Sequence, residues 1–177
     1  VKTIDTTRFN QVISIKGMHV YPGFIACNST IGLMDVEAVR ATRDFNEVGI
    51  FNPNVRSIIA YNTDSKITPT VRSNGVLMGQ ICPKGGTISG SSSVVHFDAW
   101  NWEDAVIKMD EGIHLNWPNY KNSTTSPSGS NQYQKAKKSI YSFFSNAKAY
   151  NSVPNYSYFN IKLNAVKGIF NSSQQLY

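Results

Sequence analysis

His19-Val-Tyr-Pro-Gly-Phe-Ile-Ala-Cys-Asn-Ser-Thr-Ile-Gly-Leu33 sets an extended apolar run against a Pro-Gly break, then a second apolar run ending on polar residues. The four residues Phe24-Ile-Ala-Cys27 are short and continuously apolar, which predicts a strand buried on both faces. Just upstream, Val12-Ile-Ser-Ile15, Lys16-Gly17 and His19-Val-Tyr21 read as a hairpin, two β-branched runs about a glycine turn. Downstream, Val36 to Phe45 predicts a short helix or helical turn with Asp35 and Glu37 near its N-terminus.

The next signal is the series helix, Asn-Gly, strand. Ser65 to Ser73 predicts a helix that starts near Pro69, Asn74-Gly75 stops it, and Val76-Leu-Met-Gly-Gln-Ile-Cys82 is the best strand in the sequence. That rhythm belongs to α/β folds with parallel strands. Pro83 to Ser93 is rich in glycine and serine and reads as a loop at a strand's C-terminal end, where sites gather in such folds. Val94 to Asp98 predicts a strand, Glu103 to Met109 a helix, and Ile113 to Pro118 an extended segment. Asn119 to Gln134 is almost wholly polar and predicts a loop. Lys135 to Ala149 is amphipathic, with Ile140, Phe143, Phe144 and Ala147 on one face, and Tyr156 to Phe170 predicts a last helix.

Composition narrows the function classes. A chain of 177 residues, 41% of them hydrophobic, can bury a real core. The net charge of +6 has one tight cluster, Lys135-Ala-Lys-Lys138, without the arginine-rich or aromatic-interleaved pattern that reads bases, so no nucleic-acid partner is expected. No stretch approaches the roughly 20 apolar residues of a membrane-spanning helix. Cys27 and Cys82 set no disulfide framework and read as two small buried residues. The opening Val1 marks a processed chain, an excised piece or part of something longer, and several glycosylation sequons lean toward export without fixing a compartment.

Several motifs taken in order resemble the amidohydrolase superfamily, on the side that includes imidazolonepropionase-like metal-dependent hydrolases. Ile15-Lys-Gly-Met-His-Val-Tyr-Pro-Gly-Phe-Ile25 is similar to that family's junction between a small flanking β-domain and the first barrel strand. Asn28-Ser-Thr30 falls where the family carries His-x-His, and Ile31-Gly-Leu33 continues its pattern. Asp44 to Gly49, Asn52-Pro53 and Val55-Arg56 look like the connection toward the second strand. Arg72 to Ile81 resembles the helix end and second strand, and Gly85-Gly-Thr-Ile-Ser-Gly90 the glycine loop after it.

The resemblance implies a fold of class α/β: the front part of a (β/α)8 TIM-like barrel preceded by strands of a small flanking β-domain. Residues 1–21 would belong to the flanking domain, 22–118 to the first strands and helices of the barrel, and 119–177 to a polar insertion and helical segment. A closed barrel needs about 250 residues, so the chain is expected to be the front part of a longer protein. The family's chemistry is hydrolysis of non-peptide C–N bonds, with metal-bound hydroxide attacking and an Asp moving the proton. Asn is a poor substitute for imidazole as a zinc ligand and Thr a very poor one. No residue is therefore assigned to catalysis or to metal. No cofactor is expected from this chain itself, and a divalent metal such as Zn would come with the full-length protein.

The remaining candidates are weighed on chemistry. His96 and Asp98 have the two-residue spacing that places both on one strand face, as a metal or acid/base pair or as a polar strand end. His19 reads as a hairpin surface residue and His114 as packing beside Trp117. The serine run lacks a nucleophile elbow, and the glycine loop lacks the Gly-Lys-Ser/Thr ending of a phosphate loop. The expected pocket comprises Asn28, Thr30, Gln80, Ser89, His96 and Asp98. Its partners are a small-molecule ligand or substrate, and the remainder of the chain or a paired subunit. Three functions stay open: an amidohydrolase, a non-catalytic pseudoenzyme that binds a ligand or supports a partner, and a carbohydrate- or surface-binding module using exposed Trp and Tyr.

Overall fold

Gly75 ends the first helix and launches the strand around which the sheet is built. In a computed structural model, which describes residues 10–120, 127–153 and 158–177, helix α1 spans Ile67–Ser73. Pro69 falls in its first turn, where a backbone N–H has no partner within the helix to lose. The N–H groups of Asn74 and Gly75 close on the carbonyls of Val71 and Arg72 at 3.2 and 2.9 Å. Gly75 adopts φ +87°, a conformation that glycine enters without steric cost. Strand β2, Val76–Ile81, follows immediately.

Strand β1, Phe24–Ser29, pairs with β2 in parallel. Strand β3, Ile88–His96, runs antiparallel to β2, and β4, Val106–Leu115, runs antiparallel to β3. The short β5, Gln175–Leu176, lies parallel to β4, giving the order β1-β2-β3-β4-β5. Four strands therefore point one way and β3 alone points back. The result is a mixed α/β fold on a curled, five-stranded half-barrel sheet.

Several expected elements change here. Ser89 to Ser93 forms the middle of β3 rather than a loop, so the glycine-rich connection shrinks to the residues between Ile81 and Ile88. Of the helix expected over Glu103 to Met109, one turn forms, α2 at Trp102–Ala105, capped by the Asn101 side chain accepting from the Asp104 N–H at 2.7 Å. The β-branched pair Val106-Ile107 then enters β4. Residues 10–21 form no strand; a turn at Lys16-Gly17 survives, with Met18 N–H donating to the Ile15 carbonyl at 2.8 Å. Helix α3 spans Pro127–Ser152 and so begins within the expected polar loop; residues 121–126 lie outside the described residues. The last expected helix is two short ones, α4 Ile161–Ala165 and α5 Lys167–Phe170, and its beginning at Tyr156 lies outside the described residues.

Two apolar clusters hold the sheet. Leu33, Ile58, Tyr61, Ile81, Val95, Phe97 and Ala105 pack the β1–β2 crossover onto the sheet. Ile88, Ile113, Ala147 and Val166 join β3 and β4 to the helices α3 and α4–α5, with Phe143, Phe144 and Leu163 around them. Burying side chains of this size contributes about 1.5–3 kcal/mol each. The amphipathic face expected for Lys135 to Ala149 is thus the face that packs.

Candidate functional site

Two irregularities in the sheet build the site. Between Ala26 and Ser29, β1 advances three residues while β2 advances two, from Gly79 to Ile81. Asn28 absorbs the extra residue at φ +51°, a region open to Asn at modest cost. Between Ser92 and Val94, β4 runs from Gly112 to Lys108, and Asp110 sits there at φ +48°. Bulges of this kind bend a strand and re-aim side chains. Here each turns a polar residue toward one cavity, Asn28 itself in β1 and Glu111, next to Asp110, in β4.

The second bulge is well anchored. The Asp110 N–H donates to Ser93 Oγ at 2.9 Å, Ser91 Oγ donates to Asp110 Oδ1 at 2.8 Å, and Arg56 Nε reaches Asp110 Oδ2 at 2.8 Å. Gln174 Nε2 donates to the Asp110 carbonyl at 3.0 Å, tying β5's approach to the same point.

The cavity, about 640 Å³, opens at the C-terminal ends of the four co-directional strands. That size suits a small organic ligand. Ile25, Pro83, Val94 and Leu115 supply apolar wall. Across it runs a continuous polar chain. The Asn28 N–H donates to Gln80 Oε1 at 3.2 Å, Gln80 Nε2 donates to Glu111 Oε2 at 3.0 Å, and Tyr177 OH donates to Glu111 Oε1. The Glu111 carboxylate beside Tyr177 pushes that phenol up to about 12. Lys84 Nζ donates to Asn28 Oδ1 and approaches the Asn28 carbonyl at 3.4 Å.

His114 also lines the cavity, its ring 5.3 Å from that of Tyr177. Its Nε2 is sealed from solvent and finds no hydrogen-bond partner among the described residues. Burial, and then the Lys84 charge, hold this imidazole below its ordinary range, which favours the neutral ring. The cysteines differ. Cys27 is exposed at the cavity, whereas Cys82 is buried and its thiol is pushed up to about 11 by that burial, which makes it inert.

Of the six expected pocket residues, Asn28 and Gln80 meet in this cavity. Thr30 lies past the strand end, its carbonyl accepting from Leu33 N–H at 2.9 Å, because the bulge at Asn28 breaks the alternation that would have aligned the two positions. Ser89 sits behind the wall, accepting from Asn116 Nδ2 at 2.9 Å and donating to the Gly85 carbonyl at 2.7 Å. His96 is farther along β3, with Nε2 2.9 Å from the Asp104 carbonyl, and Asp98 pairs with Arg72. Lys84, Glu111, His114 and Tyr177 were not among the residues expected. Lys84 carried a usable signal, its place just past the end of the best strand, and His114 lies in the segment read as extended but was assigned to packing. Glu111 arrives through the part of β4 ahead of that segment and Tyr177 at the end of β5, neither of which sequence pattern resolved.

By themselves the described residues around Asn28 do not form a divalent-cation site. The two Asn28 oxygens face an ammonium, Thr30 offers nothing to the cavity, and both Glu111 oxygens already accept hydrogen bonds. Among the described residues no three His, Cys, Asp or Glu side chains converge as metal ligands do.

No protein-family model matches the chain, and no curated protein sequence matches it. A crystal structure of an amidohydrolase from Thermotoga maritima MSB8 is similar to it, with a TM-score of 0.72 over 93% of this chain and 17% sequence identity. The chain spans 48% of that structure's length. At this identity the likeness is one of fold.

Proposed function

We propose that this chain is an amidohydrolase-like protein impaired in metal binding, related by fold to hydrolases of non-peptide C–N bonds, and that its cavity receives a small-molecule ligand or substrate at the mouth of a TIM-like barrel. One observation carries the reading: the polar chain Asn28–Gln80–Glu111–Tyr177, with Lys84, crosses a cavity walled by Ile25, Pro83, Val94 and Leu115 at the C-terminal strand ends. Barrel-type α/β enzymes place their chemistry at that end. The fold likeness to a protein named amidohydrolase supports the class.

Within the class, the Lys84–Asn28 contact favours the non-catalytic alternative, a pseudoenzyme that binds a ligand or supports a partner. An ammonium against both Asn28 oxygens repels a second cation, so the cavity supplies charge and hydrogen bonds rather than Lewis-acid chemistry. On the same reading the remainder of the chain or a paired subunit covers the open side of β1, where Phe24 is 69% and Ile25 55% exposed.

Elemental analysis of untagged protein, with a screen of cyclic amides and dipeptides, separates the two. The expected result is substoichiometric Zn, Fe and Mn and no turnover from a folded protein. Stoichiometric metal with turnover establishes the hydrolase and removes the pseudoenzyme reading.

A further inference from the structure

Lys84 is the cation of the cavity that its surroundings leave unneutralised. An ammonium has three N–H donors and no acceptor. Two point toward neutral oxygens, Asn28 Oδ1 and the Asn28 carbonyl. Among the described residues no carboxylate comes within ion-pair distance of it, the ion pairs there being Arg56–Asp110 and Arg72–Asp98. The one acid lining the cavity, Glu111, is engaged by neutral donors, Gln80 Nε2 and Tyr177 OH. At both His114 and Cys82 the influence of Lys84 exceeds the opposing influence of Glu111. At Tyr177 it is Glu111 that dominates, so the cavity has a negative end at Glu111 and Tyr177 and a positive end at Lys84, the end open to an anion. The cavity walls, Ile25, Pro83, Val94 and Leu115, offer apolar surface to the rest of a ligand.

We propose that the cavity selects a small carboxylic acid with an apolar body, its carboxylate held on Lys84 and its body against those four side chains. This rests on the reading of the cavity as a small-molecule site and deepens it with a ligand class. Charge-assisted hydrogen bonds are roughly twice as strong as neutral ones, and an apolar rim strengthens them further. An acid should therefore outbind a neutral molecule of the same shape.

The test uses matched pairs: hexanoate, phenylacetate and 3-phenylpropionate against their primary carboxamides. Binding is read by calorimetry and by protection of Cys27, exposed at the cavity, from iodoacetamide in intact-mass spectra. At least one acid is expected to bind about tenfold tighter than its amide. Lys84→Met should bring that ratio to one, and Lys84→Arg, which keeps the charge, should retain it. The circular dichroism of both variants checks their fold. Amides binding as well as acids, or a ratio unchanged by Lys84→Met, overturns the carboxylate assignment and leaves the small-molecule site standing. Failure of every acid and amide to bind or to protect Cys27 overturns both.

Discussion

Asn28 concentrates most of what is unusual in this molecule. Its left-handed backbone makes room for an extra residue in β1, its N–H orients Gln80, and its side chain holds Lys84. A β-branched residue at φ +51° meets the steric clash that Asn tolerates, a cost of about 1–2 kcal/mol. Asn28→Val is therefore expected to lower the urea midpoint by that equivalent. Asn28→Gly, which has no Cβ to clash, should keep the midpoint near that of the parent while freeing Lys84. Equal stability of the Val variant and the parent would show that the strand is regular at this position. Sequence reading singled out Asn28 because of the residue type it replaces in a resembling family. It could not supply the bulge, which is a property of register between two strands and leaves little local trace beyond an Asn.

At the scale of elements, β3 explains why much of the sheet was illegible. Ile-Ser-Gly-Ser-Ser-Ser carries the composition of a turn, yet Ser91, Ser92 and Ser93 are buried in mid-sheet. Buried hydroxyls survive where each finds a partner. Ser91 finds Asp110, Ser92 donates to the Gly112 carbonyl at 3.2 Å, and Ser93 accepts from the Asp110 N–H at 2.9 Å. Those partners lie 17 to 20 positions away, beyond the reach of a local pattern. By contrast α1, its Asn-Gly stop and β2 were legible because cap, stop and strand signals agree within a few residues. The serines should also differ in energetic weight. Ser93→Ala leaves the half-buried Asp110 N–H at the β4 bulge without its acceptor and is expected to cost about 1 kcal/mol. Ser92→Ala removes a donor from a carbonyl that can accept elsewhere, and should cost less. Urea unfolding gives the order, and amide exchange at Asp110 should accelerate in the Ser93 variant. The reverse order would mean that the bulge is held by Arg56 and Gln174 instead.

For the whole molecule, the open edge of β1 sets the largest physical demand. Sequence predicted Phe24 to Cys27 as a strand buried on both faces; the strand forms, but its side chains are largely uncovered. A continuous apolar run reports that side chains favour cover, and it does not say which polypeptide provides it. The same holds upstream, where Val12, Ile13, Met18, Val20 and Tyr21 are all exposed. An unpaired strand edge beside such a patch is a template for association. The 177-residue chain is therefore expected to self-associate as its concentration rises, measured by sedimentation equilibrium. Phe24→Lys puts a charge on the edge strand without touching the cavity wall, and should weaken that association by about tenfold or more. The cavity provides an internal control, because Cys27 should still be protected by whichever acid binds the parent. A monomer across the whole concentration range would mean that this edge tolerates water, and the case for a covering subunit or chain segment would lose its physical basis.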